Sequence, residues 1–413
     1  MIEELYKIYT QHPVISTDTR RIAPGSLFFA LHGASFDGND YATLALEMGA
    51  AHCVVDRVDV VEQNPHLASR LTLVEDTLTT LQQLATRHRK ELGIKMLAVA
   101  GSNGKTTTKE LLSCVLAKRY NIHATKGNLN NHIGVPLTLL SIDEGCNFAV
   151  VEMGASSCSE IASLCSIAEP NYGILTNVGR AHLEGFGGEE GVRRGKGELF
   201  DYLAASGGVA FVASENSTIL AMAQEREWLN RVEYSYTLAD GVKHNLEGEY
   251  NRYNVAAAVA IGREFGVSDL DIRAAIGSYM PENNRSQRVV TESNTLIVDC
   301  YNANPSSMEV AIENFARESF PQKVMILGDM FELGEWSQQE HRRVVELALR
   351  SDVARIYLVG KSFGLVAVED RRVRHFASRE LLEVELKQSP IEGCAVLIKG
   401  SRGVGLENII ALL

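Results

Sequence analysis

The sequence predicts an α/β fold built on parallel sheets and divided into three domains. Its 413 residues correspond to about two to three domains at the usual ~150 residues each. Short apolar runs rich in β-branched residues end in Gly, Asn or Asp and are followed by helical patterns, which is typical of parallel sheets connected by helices. We expect a small domain over residues 1–85, a central domain over 86–284 and a third over 285–413.

The elements follow in order along these three blocks. In the first block we expect strands at 27–31 and 53–56 and a helix at 77–90. The second block is expected to contain strands at 96–100, 148–151 and 173–176, and helices at 107–119 and 254–265. In the third block strands and helices alternate, at 296–298, 307–317, 324–327, 339–349 and 356–359, with a last strand at 395–398. This alternation predicts βαβ units with right-handed crossovers.

Composition excludes several classes of protein. With 40 basic and 52 acidic residues, the formal net charge is −12, which argues against a nucleic-acid polymer bound by a basic face. The net charge does not exclude the binding of small anionic ligands, since these need only a local positive site. Hydrophobic residues make up 45% and charged residues 22% of the chain, as in ordinary globular domains, so wholesale disorder is excluded.

Cysteines and apolar runs indicate the compartment. The seven cysteines are scattered and no pair has CxxC spacing, so neither a zinc site nor a disulfide framework is predicted and a reducing compartment is expected. The acidic start of the chain lacks the apolar core of a signal peptide, and no apolar run reaches the ~18 residues of a membrane span. We therefore expect a cytoplasmic protein without membrane insertion, and a monomer, since no pattern indicates an oligomer.

One motif in the second block indicates phosphate binding. It lies between a buried strand pattern and a helical pattern, and it consists of Gly101, Ser102, Asn103, Gly104, Lys105, Thr106 and Thr107. Glycines allow backbone N–H groups to wrap an anion, and the following helix N-terminus adds its dipole. Lys105 is placed to reach the β- and γ-phosphates, and the Thr106 hydroxyl to ligate Mg²⁺. Longer loops carry another glycine at the place of Val99, so this is the short GxxGK[ST] form of a P-loop.

Three residues that follow the phosphate-binding motif in the chain are candidates for the same site. Glu152 ends a strand at the edge of a parallel sheet where ligands bind, and a carboxylate there suits Mg²⁺. His182 lies in the loop after another strand end, where a structural role and a ligand role are both open. Lys196 follows a basic stretch, and its spacing alone indicates only a solvated face.

Together these residues resemble the motifs of the Mur ligases. The resemblance rests on the phosphate loop, on EMGA at 152–155, on Asn177 with His182, and on KGE at 196–198. It continues in DCYNANPSSM at 299–308, KGSR at 399–402 and DTR at 18–20. It implies a small α/β N-terminal domain that binds UDP, a central P-loop ATPase domain with a parallel sheet, and a C-terminal Rossmann-like α/β domain that binds a second substrate and closes the ATP site.

The segment at 299–308 and the N-terminal block resemble one branch of the family. The reaction that this implies joins D-Ala-D-Ala to the terminal carboxylate of UDP-N-acetylmuramoyl-tripeptide through an acyl phosphate, with ATP and two Mg²⁺ ions, in peptidoglycan precursor synthesis. Two alternatives stay open. One is a Mur-type ligase that adds a single amino acid, and the other is a P-loop ATPase or switch without ligase activity.

The resemblance also implies roles for single residues. It assigns catalysis to Lys105, Glu152, His182 and Lys196, with Thr106 and Glu152 on one Mg²⁺ and His182 on a second. Lys196 would approach the second ion as a carbamate formed with CO₂. Further ATP contacts are expected from Asn254, Arg285, Asp299, Tyr301 and Asn302. Substrate contacts are expected from Asp18, Thr19, Arg20, Asn130 and Asn131. The chain departs from the family pattern at Asn39 and Tyr250, which stand where the family usually has histidine, and at Asn284, where it usually has glycine.

Overall fold

The N-terminal domain is a small parallel sheet flanked by helices. A computed structural model of the chain describes residues 1–281 and 287–413. The strands of this domain are β1 (Ile15–Ser16), β2 (Leu27–Phe29), β3 (His32–Gly33), β4 (Phe36–Asp37), β5 (His52–Val55) and β6 (Leu71–Leu73). Its helices are α1 (Ile2–Gln11), α2 (Ala42–Glu47), α3 (Val58–Gln63) and α4 (Thr77–Leu92). The sheet order is β1-β2-β5-β6 with parallel pairs, and β3 and β4 form an antiparallel hairpin.

The central domain is a parallel sheet with helices on both faces. Its strands are β7 (Lys95–Ala100), β8 (Ile122–Ala124), β9 (Phe148–Glu152), β10 (Tyr172–Leu175), β11 (Val209–Ala213) and β12 (Asn230–Tyr234), in the order β12-β11-β10-β7-β9-β8. Its helices are α5 (Lys105–Leu116), α6 (Gly134–Leu140), α7 (Glu160–Ala168), α8 (Leu183–Phe186), α9 (Glu189–Ser206), α10 (Ser217–Gln224), α11 (Asn251–Glu264) and α12 (Asp269–Ser278). Strands buried on both faces explain the continuous apolar runs of the sequence.

The C-terminal domain is a second βαβ sheet with one antiparallel edge strand. Its strands are β13 (Gln287–Val290), β14 (Thr295–Asp299), β15 (Lys323–Gly328), β16 (Arg355–Val359), β17 (Val373–Phe376) and β18 (Ala395–Lys399). Its helices are α13 (Pro305–Arg317), α14 (Ser337–Arg350) and α15 (Arg379–Gln388). The order is β13-β14-β18-β15-β16-β17, and β13 pairs with β14 in the antiparallel sense.

Helix α4 connects the first two domains. The Asp76 side chain accepts a hydrogen bond from the Thr79 amide at its start, and Gly93 takes the left-handed conformation at its end. Its apolar face, with Leu81 and Leu84, is buried in one cluster of apolar side chains that also includes residues of the C-terminal sheet. The three domains therefore pack against one another through a continuous apolar core.

The predicted α/β class with three domains is confirmed. The phosphate-loop helix α5 begins at Lys105, two residues before the predicted start at 107, because Gly104 with φ of 77° supplies its N-cap. The predicted boundary at 85 falls inside α4, and that at 284 lies outside the described residues, so both stay predictions. Within the described ranges, no helix is both long and apolar enough to span a membrane.

Candidate active site

A cleft of about 1190 Å³ opens between the central and C-terminal domains. Its walls include the phosphate loop after β7 and residues at the carboxyl ends of β9, β10 and β14. The start of α13 contributes as well. Ligands of open parallel sheets bind at this edge. A ligand in this cleft therefore touches both domains at once.

The phosphate loop is braced from the neighbouring strand end. The amide of Asn103 donates to Oδ1 of Asn177 at 2.9 Å, and Nδ2 of Asn177 donates to the carbonyl of Asn103 at 2.9 Å. Gly101 has φ of 136°, and a Cβ on it would lie 2.2 Å from Oγ1 of Thr176. A side chain at Gly101 is excluded on both grounds. The loop is thus held in shape before any phosphate arrives.

Lys105 folds back over this loop. Its Nζ donates to the carbonyl oxygens of Gly101 at 2.8 Å and Ser102 at 3.1 Å. Thr106 follows at the first turn of α5, where its side chain is buried at the wall of the cleft. The phosphate loop therefore brings together backbone amides, a lysine and a helix N-terminus. Groups of this kind bind polyphosphates in proteins.

Glu152 is the last residue of β9, and its carboxylate is buried. Its Oε1 accepts a 2.8 Å hydrogen bond from Nδ2 of Asn130, and its amide donates to Oγ1 of Thr125. Its Oε2 is buried without a hydrogen-bond partner among the described residues. A buried oxygen of this kind fits a hard cation such as Mg²⁺. The described residues include no group of three or more His, Cys, Asp or Glu side chains able to hold a metal.

His182 faces the C-terminal domain across the cleft. It adopts φ of 54° at the start of α8, and its Nδ1 contacts the carboxylate of Glu332, which follows β15. The structure therefore places His182 in the cleft rather than in an ordinary surface loop. The contact with His182 holds the pKa of Glu332 below its usual range.

Lys196 lies behind the wall of the cleft. It is 1% exposed on α9, its Nζ donates to the carbonyl of Ala155 at 3.0 Å, and Nζ lies 4.9 Å from the centre of the Phe186 ring. The solvated position indicated by its spacing is wrong, since tertiary packing buries this face of the helix. Burial first, and the charge of Lys105 second, lower the pKa of Lys196 to about 7. A large fraction of this amine is therefore neutral near neutral pH.

Residues after β14 bring the C-terminal domain to the same site. Asp299 pairs with the buried Lys399, whose Nζ lies 2.5 Å from Oδ2. Tyr301 and Asn302 line the cleft beside it. Asn304 donates from Nδ2 to Oδ1 of Asn103 at 2.7 Å, so this domain touches the phosphate loop directly.

A tyrosine pair marks another part of the cleft. The rings of Tyr236 and Tyr253 lie 4.3 Å apart, and both line the cleft. Asn254 beside them accepts from the Thr108 hydroxyl and donates to Oδ1 of Asn251. A Cβ on Gly104 would lie 2.8 Å from Oδ1 of Asn254. Helix α11 thus packs against the phosphate loop and the start of α5 through Asn254.

Comparison with known proteins decides the family. Sequence models of a Mur ligase family catalytic domain, a Mur ligase middle domain and a Mur ligase glutamate ligase domain match residues 13–89, 99–242 and 284–402. The UDP-N-acetylmuramoyl-tripeptide--D-alanyl-D-alanine ligase of Bacillus subtilis is 33% identical over 96% of this chain and 92% of its own length. The chain belongs to the Mur ligase family.

Solved structures agree with this assignment. MurF of Acinetobacter baumannii superimposes with a TM-score of 0.87 at 27% identity, over 100% of this chain and 98% of that one. MurF ligase of Thermotoga maritima, solved in complex with ADP, gives 0.82 at 26% identity, over 98% of this chain and 97% of that one. The three-domain architecture of this Mur ligase is therefore that of the MurF structures.

Most of the site residues predicted for this Mur ligase lie at the cleft. These are Ser102, Asn103, Gly104, Lys105, Thr106, Thr107, Asn130, Asn131, Glu152, His182, Asn254, Asp299, Tyr301 and Asn302. Gly101 begins the phosphate loop but does not line the cleft, and its carbonyl accepts a hydrogen bond from Nζ of Lys105. Arg285 lies outside the described residues.

The predicted UDP contacts lie elsewhere in this Mur ligase. Asp18, Thr19 and Arg20 form a turn of the N-terminal domain that does not line the cleft. The Arg20 side chain lowers the pKa of Asp18 to about 2. The departure at Asn39 is structural: its side chain bonds Asp37 and Asp56 and is 2% exposed.

Several residues at the cleft of this Mur ligase received no role of their own from the sequence, among them Asn304, Glu332 and Lys399. Asn304 carried a usable signal, because Asn-Pro-Ser-Ser is a helix-start pattern and the capping box with Ser307 is present. Lys399 lies in the segment 399–402 that carries the resemblance. Glu332 carried no such signal, since its partner His182 is distant in the sequence.

Proposed function

We propose that this Mur ligase joins D-Ala-D-Ala to the terminal carboxylate of UDP-N-acetylmuramoyl-tripeptide and converts ATP to ADP and phosphate. The observation that carries the proposal is the interdomain cleft, where the phosphate loop, Glu152 and His182 face Asp299 and Asn304. The names of the relatives support the choice of substrates. No observation favours a ligase for single amino acids or an ATPase without ligase activity.

The first chemical step brings two anions together, because the tripeptide carboxylate attacks the γ-phosphate of ATP. Lys105, released from the loop carbonyls, neutralises phosphate charge in this step. Thr106 and Glu152 would hold a Mg²⁺ ion, which would supply positive charge against the repulsion between the anions. The orphaned Oε2 of Glu152 supports this assignment. The products of the step are ADP and an acyl phosphate. The dipeptide ammonium loses one proton, the resulting amine attacks the acyl carbon, and the C–O bond to phosphate breaks as phosphate and the second proton leave.

Lys196 and His182 serve the acyl end of the site. A neutral lysine amine adds to CO₂ and, with loss of one N–H proton, forms a carbamate. The pKa of about 7 supports this modification of Lys196. The carbamate turns a buried cation into an anion, which suits a second Mg²⁺ together with His182. The Ala155 carbonyl, which now accepts from Nζ, lies at the cleft wall and gives the modified side chain its direction.

The remaining roles follow the three domains. Residues 1–85, with Asp18, Thr19 and Arg20, bind the UDP-sugar, and Asn130 and Asn131 face the tripeptide. Asn254 and the Tyr236–Tyr253 pair surround the adenosine end of ATP. Arg285, Asp299, Tyr301 and Asn302 complete the ATP site when residues 285–413 close over it. The enzyme acts as a monomer in the cytoplasm, where ATP and its substrates are found.

A phosphate-release matrix tests the proposal. Each UDP-muramoyl precursor is paired with each candidate amine at saturating ATP and Mg²⁺. Phosphate release is expected only when the tripeptide precursor and D-Ala-D-Ala are both present. Release with free amino acids but not with the dipeptide would assign the enzyme to another Mur reaction, and release without either substrate would leave only an ATPase.

A further inference from the structure

Glu332 is an acidic residue that the C-terminal domain places in the cleft. It lies on the loop between β15 and α14, and its carboxylate contacts Nδ1 of His182 in the central domain. Its side chain is 60% exposed, so one face of the carboxylate is open to the cleft. The residue therefore stands at the His182 end of the site and remains accessible to a ligand.

The backbone around this contact is held in an uncommon conformation on both sides. Glu332 has φ of 60° and His182 has φ of 54°, although neither is glycine. The carbonyl of Glu332 accepts from the amide of Glu184 at 3.3 Å, and a Cβ on Gly334 would lie 3.0 Å from Cγ of Glu184. Left-handed non-glycine residues persist where surrounding contacts fix them, and they concentrate at functional sites. The loop is fixed so that Glu332 points across the interface.

The other acids of the cleft already have partners. Asp299 is paired with Lys399, and Glu160 accepts from the amide of Ser156. Glu215 accepts from the Ser235 hydroxyl and the Tyr236 amide, and Glu152 is buried beside Asn130. Glu332 differs from them because the described partner of its carboxylate is an imidazole on the other side of the domain interface.

The dipeptide substrate brings a charge that needs such a group. D-Ala-D-Ala enters with a terminal ammonium, which loses water when it reaches a closed cleft. A charged partner offsets that loss, and hydrogen bonds between charged groups are about twice as strong as neutral ones. The ammonium must also arrive at the acyl end of the site, which the proposed function places near His182 and Lys196.

We propose that Glu332 binds the ammonium group of the incoming D-Ala-D-Ala and places it beside the acyl phosphate. The inference rests on the proposed function and adds a recognition residue for its second substrate. Glu332 is then a contact of the second half-reaction only. The alternative is that Glu332 only helps to hold the central and C-terminal domains together. Glu309 serves as the comparison for that role, because it pairs with Arg180 across the same interface but outside the cleft.

The test separates the two half-reactions in Glu332→Gln, Glu332→Asp and the matched control Glu309→Gln. Acyl phosphate formed from UDP-tripeptide and ATP without dipeptide is trapped by borohydride reduction and quantified. The KM for D-Ala-D-Ala is measured in the complete reaction. Binding of D-lactyl-D-alanine, which has a hydroxyl in place of the amine, is measured by calorimetry with UDP-tripeptide and a non-hydrolysable ATP analogue. Thermal melts check that each variant is folded.

We expect Glu332→Gln to raise the KM for D-Ala-D-Ala roughly 10-fold to 100-fold. The trapped acyl phosphate and the affinity for D-lactyl-D-alanine should stay at wild-type level. Glu332→Asp, which keeps the charge, should give a smaller rise, and Glu309→Gln should change none of these quantities. An unchanged KM in Glu332→Gln, or reduced trapping, overturns the role of Glu332. Failure of the wild-type enzyme to form acyl phosphate from UDP-tripeptide overturns the proposed function instead.

Discussion

The side chain of Asn304 joins a helix start of one domain to the phosphate loop of another. Its Nδ2 donates a 2.7 Å hydrogen bond to Oδ1 of Asn103, while its own Oδ1 accepts from the amide of Ser307 at 2.9 Å. The first bond crosses between domains and the second caps α13. One residue therefore links the position of the C-terminal domain to the shape of the nucleotide site.

Asn304→Asp separates these two roles. Aspartate keeps the capping acceptor, because Asp and Asn are equally good N-caps, but it has no donor for Asn103. We expect the KM for ATP to rise about five-fold, corresponding to about 1 kcal/mol for one lost hydrogen bond, while the thermal midpoint stays close to wild type. Steady-state kinetics and calorimetric melts measure both. Asn304→Ala should lower the midpoint as well, and an equal effect of both variants on KM and midpoint would refute the separation.

Lys105→Ala should abolish turnover. The lysine is the charged side chain of the phosphate loop, and loss of one preorganised stabilising group in an active site typically costs about 10²-fold to 10³-fold in kcat. Lys118→Ala, at an exposed position just after α5, is the control for loss of a lysine near the same helix. Phosphate release with both substrates measures the effect. Turnover within ten-fold of wild type in Lys105→Ala would remove the phosphate-loop assignment.

Glu152→Gln should raise the Mg²⁺ concentration needed for half-maximal activity. The amide side chain keeps the contact with Asn130 but offers the ion a neutral oxygen or a nitrogen in place of the anionic Oε2. We expect a shift of at least about ten-fold, and a matching loss of Mn²⁺ binding by electron paramagnetic resonance in the presence of ADP. The control is Glu144→Gln at an exposed position. Unchanged metal dependence would place the ion elsewhere.

The buried amine of Lys196 predicts a pH-dependent requirement for CO₂. Its pKa is lowered from the usual 10.5 to about 7, chiefly by burial, so the native amine is protonated below pH 7 and neutral above it. Only the neutral amine adds to CO₂. We expect removal of CO₂ to reduce activity, bicarbonate to restore it, and the restoration to need more bicarbonate at pH 6.5 than at pH 8.

The carbamate itself is observable. Carbon-13 bicarbonate should give a carbamate resonance in the wild-type enzyme that Lys196→Ala lacks. The lowered pKa of Lys196 also makes the free energy of unfolding depend on pH. Between about pH 7 and pH 10.5 the unfolded chain binds more protons at this residue than the native chain does. The contribution of Lys196 to stability therefore rises with pH across that window. Full activity in CO₂-free buffer at pH 8 would exclude the carbamate.

The local parts of this protein can be read from its amino-acid sequence alone. The phosphate loop is a contiguous segment whose glycines, lysine and threonine need only a preceding strand and a following helix, and β7 and α5 supply them. The position of Glu152 at the cleft could be predicted because a carboxylate that ends a parallel strand lies at the edge where ligands bind. The apolar runs and the Gly, Asn or Asp residues that end them likewise predict the α/β class. A strand that is buried on both faces of a sheet consists almost entirely of apolar residues, so it can be recognised in the sequence.

Contacts between residues that are distant in the sequence depend on how the helices and domains pack. The spacing around Lys196 indicated a solvated face, and packing of α9 buried the residue instead, which moved its pKa. The pairs His182–Glu332, Asp299–Lys399 and Asn103–Asn304 each join segments separated by at least 100 residues. No local periodicity encodes such contacts, because they follow from how the C-terminal domain packs against the central one. The chemistry of the individual groups is therefore readable from the sequence, whereas the partners that give those groups their charge, burial and direction are set by the packing of the domains.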